Sequence, residues 1–199
     1  MMFANYKKGI HQILTYTELD RYPEIFLTCS KLKEGDVKIL SFGCSTGEEC
    51  QTLRKYFPLA EIIGLDVNEN VLKKAIKNNS DKKIKFHSVL NENSFDLIFC
   101  MSVFCRHINN GECDDPFYTH YTFKQFEKTL KELISTLKHN GAIIIYNSNF
   151  RFCDTKFSNL FKSIPTKDNH GSGFVTKFNK ENVKLKNQIY KDCVFLKYP

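Results

Sequence analysis

Apolar and polar positions follow two rhythms along this chain, and the alternation between them repeats. Val37 to Phe42, Glu61 to Asp66, Ile84 to Val89, Phe95 to Met101 and Ala142 to Asn147 are short, nearly continuous apolar runs that predict five buried strands. Between them the period lengthens to that of a helix. Gly47 to Phe57, stopped by Pro58, and Asn70 to Asn78, with Val71, Leu72, Ala75 and Ile76 on one side, predict crossover helices. The strongest stripe is Phe123, Phe126, Leu130, Leu133, Ile134 and Leu137, which predicts a helix over Phe123 to Lys138. Thr122 with Gln125 reads as its capping box and Gly141 as its stop.

Strands alternating with helices predict a parallel sheet with helical crossovers. Beyond residue 150 the pattern changes. Phe157 to Ile164, ended by Pro165, suits a short helix, and Phe174 to Phe178 and Cys193 to Tyr198 suit two strands paired antiparallel across a short polar stretch. The expected fold is α/β: a single Rossmann-like three-layer sandwich with a mostly parallel seven-stranded sheet, whose C-terminal β-hairpin makes the last strand antiparallel. Residues 1–36, with helices expected around Ile10 to Leu14 and Pro23 to Ser30, form an N-terminal helical extension to a domain over 37–199. No internal repeat or low-complexity linker interrupts this order.

Composition fits one domain: 199 residues, 42% hydrophobic and 14% aromatic, are ample for a core. The eight cysteines (29, 44, 50, 100, 105, 113, 153 and 193) form no CxxC pair, and residues 1–8 lack the apolar stretch of a signal peptide. Free thiols and a cytoplasmic location are the expectation. No apolar run approaches bilayer length, so no membrane partner is expected. The +7 charge is spread over lysines such as Lys7-Lys8, Lys73-Lys74 and Lys82-Lys83. Such scatter suits solvated helix faces better than a dedicated nucleic-acid surface, although an anionic partner is compatible with it.

The chemistry concentrates after the first strand, in Phe42-Gly43-Cys44-Ser45-Thr46-Gly47-Glu48-Glu49. Glycines between a strand and a helix let backbone approach a ligand closely. Asp66, 23 residues after Gly43 and ending the second strand, is placed to accept the hydroxyls of an adenosine ribose. A dinucleotide would rest its diphosphate on the helix N-terminus, where Glu48 and Glu49 repel it. The same carboxylates suit S-adenosylmethionine, which carries a sulfonium and an ammonium and no phosphate. They also suit the helix dipole on its own. Gly43-Cys44-Ser45-Thr46-Gly47 satisfies the G-x-S-x-G of a hydrolase elbow as well, yet no glycine-rich oxyanion loop precedes it. A structural turn without a ligand is the remaining alternative.

Val37 to Glu49 resembles motif I of class I S-adenosylmethionine-dependent methyltransferases, and Cys-Ser-Thr-Gly-Glu-Glu resembles the form found in chemotaxis-receptor glutamate methyltransferases. Asp66-Val67-Asn68 with Val71 to Ala75 is similar to the next motif. Phe95 to Ser102 is similar to the fourth-strand motif, and Leu137 to Ile145 to the lead into strand five. The resemblance implies that Gly43, Cys44, Ser45 and Gly47 line the methionine and ribose, with Glu48 near the amino group. Asp66 would hold the ribose and Val67 lie under the adenine. Ser88 and Val89 would sit beside its ring, and Cys100 and Met101 at the reacting end. The chain departs from the family pattern at Ser41, where an acid is common, at Ser45, where a glycine is common, and at Ser88, where an acid often follows strand three.

The acceptor is less legible, because methyl transfer chiefly requires proximity and a dry, aligned site. Cys100-Met101-Ser102-Val103-Phe104 stands where amino-methylating DNA enzymes resemble one another in an Asn/Asp-Pro-Pro-aromatic motif. Asp115-Pro116-Phe117 reads as a turn. The Pro-Cys of cytosine-C5 enzymes is missing, so Cys100 and Cys105 are expected to be packed thiols. Aminopropyl transferases, similar otherwise, usually carry an acid where Cys100 stands. The segment from Cys105 to Tyr121 lies at the sheet edge where ligands bind, and Arg106, His107, Tyr118 and His120 are its candidate catalytic groups. Cys100, Cys105, His107, Cys113 and His120 match no zinc module, and no metal is expected. The reading is a methyltransferase acting on a small molecule or protein side chain. Its alternatives are a cofactor-binding module without transfer activity and a nucleic-acid methyltransferase.

Overall fold

The computed structural model describes residues 14–91, 93–105, 121–167 and 175–199. One seven-stranded sheet organises them, in the order β3-β2-β1-β4-β5-β7-β6. Its strands are β1 (Lys38–Phe42), β2 (Glu61–Leu65), β3 (Ile84–His87), β4 (Phe95–Met101), β5 (Leu137–Tyr146), β6 (Phe161–Ile164) and β7 (Val194–Lys197). The first five are parallel, while β7 runs antiparallel to β5 on one side and to β6 on the other. The predicted fold class is therefore present, with the final strand antiparallel.

Alternation along the strands sorts side chains to two faces. Ile39, Ile62, Leu97, Phe99 and Ile144 face a layer of three helices: α1 (Pro23–Leu32), α2 (Glu48–Tyr56) and α3 (Glu69–Asn78). Each helix is fitted locally. Pro23 opens the first turn of α1, Phe57 closes α2 before Pro58, and the Asn68 side chain caps α3 through the Asn70 amide. Phe26 of α1 is 1% exposed and meets Phe99 of β4 at 5.7 Å between ring centroids, so α1 is seated directly on the sheet.

Leu40, Ile63, Ile98, Cys100 and Ile143 face the opposite way, onto α4 (Phe123–Thr136) and a block of aromatic rings. Phe104, Phe126 and Phe150 lie at its centre, with centroid separations of 5.2 Å and 5.6 Å. No helix is present among the described residues between β3 and β4. Past bends at 88 and 89 the chain buries Leu90 against this face.

Three boundaries differ from the sequence expectation. The segment Phe157 to Ile164, predicted as a helix, contains only a 3-10 turn at Ser158–Leu160 and then β6. Its apolar residues at 157, 160, 161 and 164 have helical spacing, but pairing with β7 prevails and leaves Leu160 exposed. The expected strand ending at Phe178 is reduced to isolated bridges from Phe178 to Phe150 and Lys184, so β7 pairs with β6 across a long connection rather than within a tight hairpin. Finally, α4 stops at Thr136. Leu137 pairs with Phe95, the register then shifts, and Ala142 pairs with Leu97, which puts Gly141 inside the irregular start of β5. Of the helix expected around Ile10 to Leu14, only Leu14 is among the described residues, and it is not helical.

Candidate functional site

The turn between β1 and α2 is built on left-handed backbone: φ is +80° at Gly43, +49° at Ser45 and +95° at Gly47. A Cβ on Gly43 would come within 2.6 Å of Val103, so both space and dihedral demand glycine there. Ser45 adopts its conformation without that freedom, held at both ends. Its amide donates to Asp66 Oδ2 at 2.9 Å and its hydroxyl to the Thr15 carbonyl at 2.7 Å. The other Asp66 oxygen accepts from the Asn68 amide at 2.8 Å. Burial pushes the Asp66 carboxyl up, and the amides of Asn68, Ser45 and Val67 pull it back. The carboxylate thus lies fixed at the carboxyl end of β2, beside the loop that follows β1.

The two glutamates of the loop separate. Glu48 accepts from Thr46 Oγ1 at 2.6 Å, beside the turn, while Glu49 turns inward and accepts from Ser41 Oγ at 2.7 Å. Ser41 is the position where an acid is common, so Glu49 brings a carboxylate from α2 to the same place. Glu49 keeps some accessible surface, but its carboxyl group is enclosed. Desolvation raises its pKa to about 7, against the Ser41 hydrogen bond and the positive field of Arg21. The Arg21 guanidinium lies 5.1 Å from the ring centroids of both Tyr16 and Tyr22. Asp20 fastens this stretch to α2, its amide donating to Thr52 and its carboxylate accepting from Tyr56.

A second polar group occupies the ends of β4 and β5. Asn147 Nδ2 donates to Ser102 Oγ at 2.8 Å, and Ser102 Oγ lies 2.7 Å from the Tyr22 hydroxyl. Ser102 and Asn147 both have positive φ, +57° and +52°. Neither is glycine, and such backbone persists where surrounding contacts enforce it. Burial keeps the Tyr22 phenol neutral by raising its pKa.

Gly43, Ser45, Gly47, Glu48 and Asp66 come together around the β1 turn, with Val67 half-buried just beyond. Ser88 is exposed and Val89 half-buried at the neighbouring end of β3, where the His87 carbonyl accepts from the Asp66 amide. The side chains of Cys44, Cys100 and Met101 are buried, Cys44 and Met101 on the α1–α3 face and Cys100 on the α4 face. Burial raises the Cys44 and Cys100 thiols well above the usual range. Arg106, His107, Tyr118 and His120 lie outside the described residues, as does Cys113. Among the described residues no three His, Cys, Asp or Glu side chains form a metal-binding group, the cysteines are free thiols, and no helix is long and apolar enough to cross a membrane. Sequence reasoning did not single out Arg21, Tyr22 or Asn147. Asn147 carried one usable signal, its place directly after a central parallel strand.

A family model described as a methyltransferase domain matches residues 33–197. No curated protein matches the chain. Among solved structures, the chain is similar to the plantazolicin methyltransferase BpumL in complex with SAH, at 22% identity over 61% of this chain and 44% of that one, with a TM-score of 0.46. It is similar to a putative O-methyltransferase from Nostoc punctiforme at 20% identity, covering 63% of this chain and 37% of that one, with a TM-score of 0.46. It is also similar to a structure of the Haloferax volcanii Trm112 methyltransferase activator with a putative methyltransferase, at 17% identity over 68% and 55%, with a TM-score of 0.47. The matched part spans between 37% and 55% of these three solved chains.

Proposed function

The chain belongs to the methyltransferase-domain family, a class I fold that uses S-adenosylmethionine, and we propose that it transfers the cofactor's methyl group to a small molecule or a protein side chain. The observation that carries this reading is the pairing of the left-handed β1 turn with Asp66 through the Ser45 amide. It leaves a carboxylate fixed for the two ribose hydroxyls beside the left-handed turn that follows β1. Glu48 and Glu49 at the start of α2 fit a cationic ligand and repel a diphosphate.

In the proposed pose Gly43, Ser45 and Gly47 offer backbone to the methionine and ribose, with Cys44 supporting the turn from below. Val67, Ser88 and Val89 border the adenine. Glu49, with Glu48 nearer the turn, takes the ammonium, and Arg21 takes the carboxylate. Cys100 and Met101 contribute peptide groups at the reacting end, since their side chains belong to the core. The likeness of Cys44 to Glu49 to the chemotaxis-receptor enzymes supports this cofactor pose and leaves the acceptor open.

Calorimetry with S-adenosylmethionine and its demethylated product tests the first stage, and binding of neither overturns the reading. Asp66→Asn is expected to weaken binding about 10- to 100-fold, since it removes a charged acceptor and sets an amide N–H against donor groups. Labelled-methyl transfer into a fractionated cell extract tests the second stage. Cofactor binding without transfer into any small-molecule or protein fraction would leave a binding module, and label confined to RNA or DNA would make the acceptor a nucleic acid.

A further inference from the structure

Among the described residues Lys177 is the one buried lysine, 1% exposed, and lysine is rarely enclosed so fully. Its position is enforced. The backbone amide of Lys177 donates to Gln188 Oε1 at 2.7 Å, and its carbonyl accepts from the Leu185 amide at 2.9 Å and from Gln188 Nε2 at 3.2 Å. On either side, the Phe178 amide donates to the Asn149 carbonyl and Asn149 Nδ2 donates to the Thr176 carbonyl. The segment is thereby pinned along the chain that leaves β5.

This places the amine at the ends of β4 and β5. Nζ donates to the Ser148 carbonyl at 2.8 Å, one residue beyond Asn147, whose amide holds Ser102. The Asn149 amide donates to the Phe104 carbonyl at 2.9 Å, and the Cys105 thiol donates to the Ser102 carbonyl at 3.3 Å, so both strand ends form one wall. Among the described residues the titratable group acting on Lys177 is Cys105.

Resting on the methyltransferase reading, we propose that Lys177 is the general base of methyl transfer, and that the acceptor is a neutral hydroxyl or amine bound against the wall formed by the ends of β4 and β5. In the step, an acceptor lone pair forms the bond to the methyl carbon as the carbon–sulfur bond breaks and its pair returns to sulfur. The O–H or N–H proton passes to Nζ. The neutral amine becomes ammonium, the sulfonium becomes a thioether, and charge is conserved. A carboxylate acceptor has no proton to surrender, so this assignment separates the chain from enzymes that esterify glutamate. Desolvation lowers the Lys177 pKa to about 8, against an ordinary value near 10.4, which supplies a useful neutral fraction near neutral pH.

The test uses the full chain and whichever extract fraction accepts labelled methyl from S-adenosylmethionine. Wild-type kcat is expected to rise with pH through about 8, as Nζ loses its proton. Lys177→Met is expected to lose at least about 100-fold in kcat and the inflection, with cofactor affinity and melting temperature kept. Lys177→Arg should lose as much, because a guanidinium stays charged. Ethylamine should restore part of the activity of Lys177→Ala. A second readout is the lysine ε-resonance absent from the Lys177→Arg spectrum, which should titrate near 8 in the wild type. Transfer by Lys177→Met within about threefold of wild type, an unchanged pH inflection, or titration near 10 would overturn the assignment while leaving the methyltransferase reading intact. Loss of cofactor affinity in both the Met and Arg variants would make Lys177 a structural residue and overturn it too. Cofactor binding with no transfer by the wild type would instead remove the methyltransferase reading and the base with it.

Discussion

The halves of the sheet on either side of the β1–β4 boundary are built by different means. From β1 to β3, each of the first two strands runs into a turn and then a helix. The site there is made of neighbours in sequence or across one strand: Gly43, Ser45, Glu49 and Asp66. From β4 to β7 the face turned away from α1–α3 is covered, among the described residues, by one long helix, α4, and by phenylalanines drawn from positions 104 to 195. Phe152 stacks on Phe195 at 4.3 Å and packs edge-on against Phe161 at 5.2 Å. Local rules therefore hold the half proposed for the cofactor. Long-range packing holds the half proposed for the acceptor.

The largest expected effect tests whether the two faces form one cooperative core. Phe26→Ala under α1 and Phe126→Ala under α4 each remove a fully buried ring, and each should cost about 3–5 kcal/mol in urea unfolding. The losses should be nearly additive within one transition, because the rings lie in separate clusters. A Phe26→Ala cost under about 1 kcal/mol would show α1 to be an appendage rather than part of the core.

The same contrast governs what could be read from the sequence. The five parallel strands, α2 and α3 lie within a few residues of expectation, because each is announced by its own apolar run, and α2 also by its own stop, Pro58. The glycine turn and Asp66 were legible for the same reason. β6 was not, because Phe157, Leu160, Phe161 and Ile164 satisfy helical spacing and only the partner β7, some thirty residues later, decides otherwise. Lys177 gave no signal at all. Its burial depends on Gln188, Ser148 and Asn149, and in the sequence it is one of many lysines.

Glu49 offers a smaller effect whose sign is fixed. An unfolded glutamate titrates near 4.5, and the folded value is about 7, so the folded state binds the proton more tightly. Below pH 4.5 both states are protonated and nothing is lost. As pH rises to 7 and above, the enclosed charge destabilises the fold by up to about 2–3 kcal/mol. Glu49→Gln should therefore raise stability at pH 8 relative to wild type and leave it unchanged at pH 4. Cofactor affinity should behave oppositely: in the wild type it should climb as Glu49 ionises to meet the ammonium, and in Glu49→Gln it should be weaker and flat. A stability difference that ignores pH would remove Glu49 as the titrating group.

The smallest effect sets local against distant capping at one helix. Thr122 and Gln125 form the capping box of α4, with the Thr122 amide 2.6 Å from Gln125 Oε1 but the Gln125 amide a longer 3.3 Å from Thr122 Oγ1. The next amide, that of Phe123, is taken by Asn182 Oδ1 at 2.7 Å, from the connection between β6 and β7. Asn182 has a φ of +63°, so Asn182→Gly removes the acceptor without straining the backbone. It should cost about 1–2 kcal/mol, because it strands an amide at the helix start. Thr122→Ala should cost about 0.5–1 kcal/mol, in keeping with the long bond it removes. Chemical denaturation of both variants checks the order. If Thr122→Ala proved the costlier, α4 would be started by its own sequence like the helices of the amino half, and dependence on distant residues would begin only after β5.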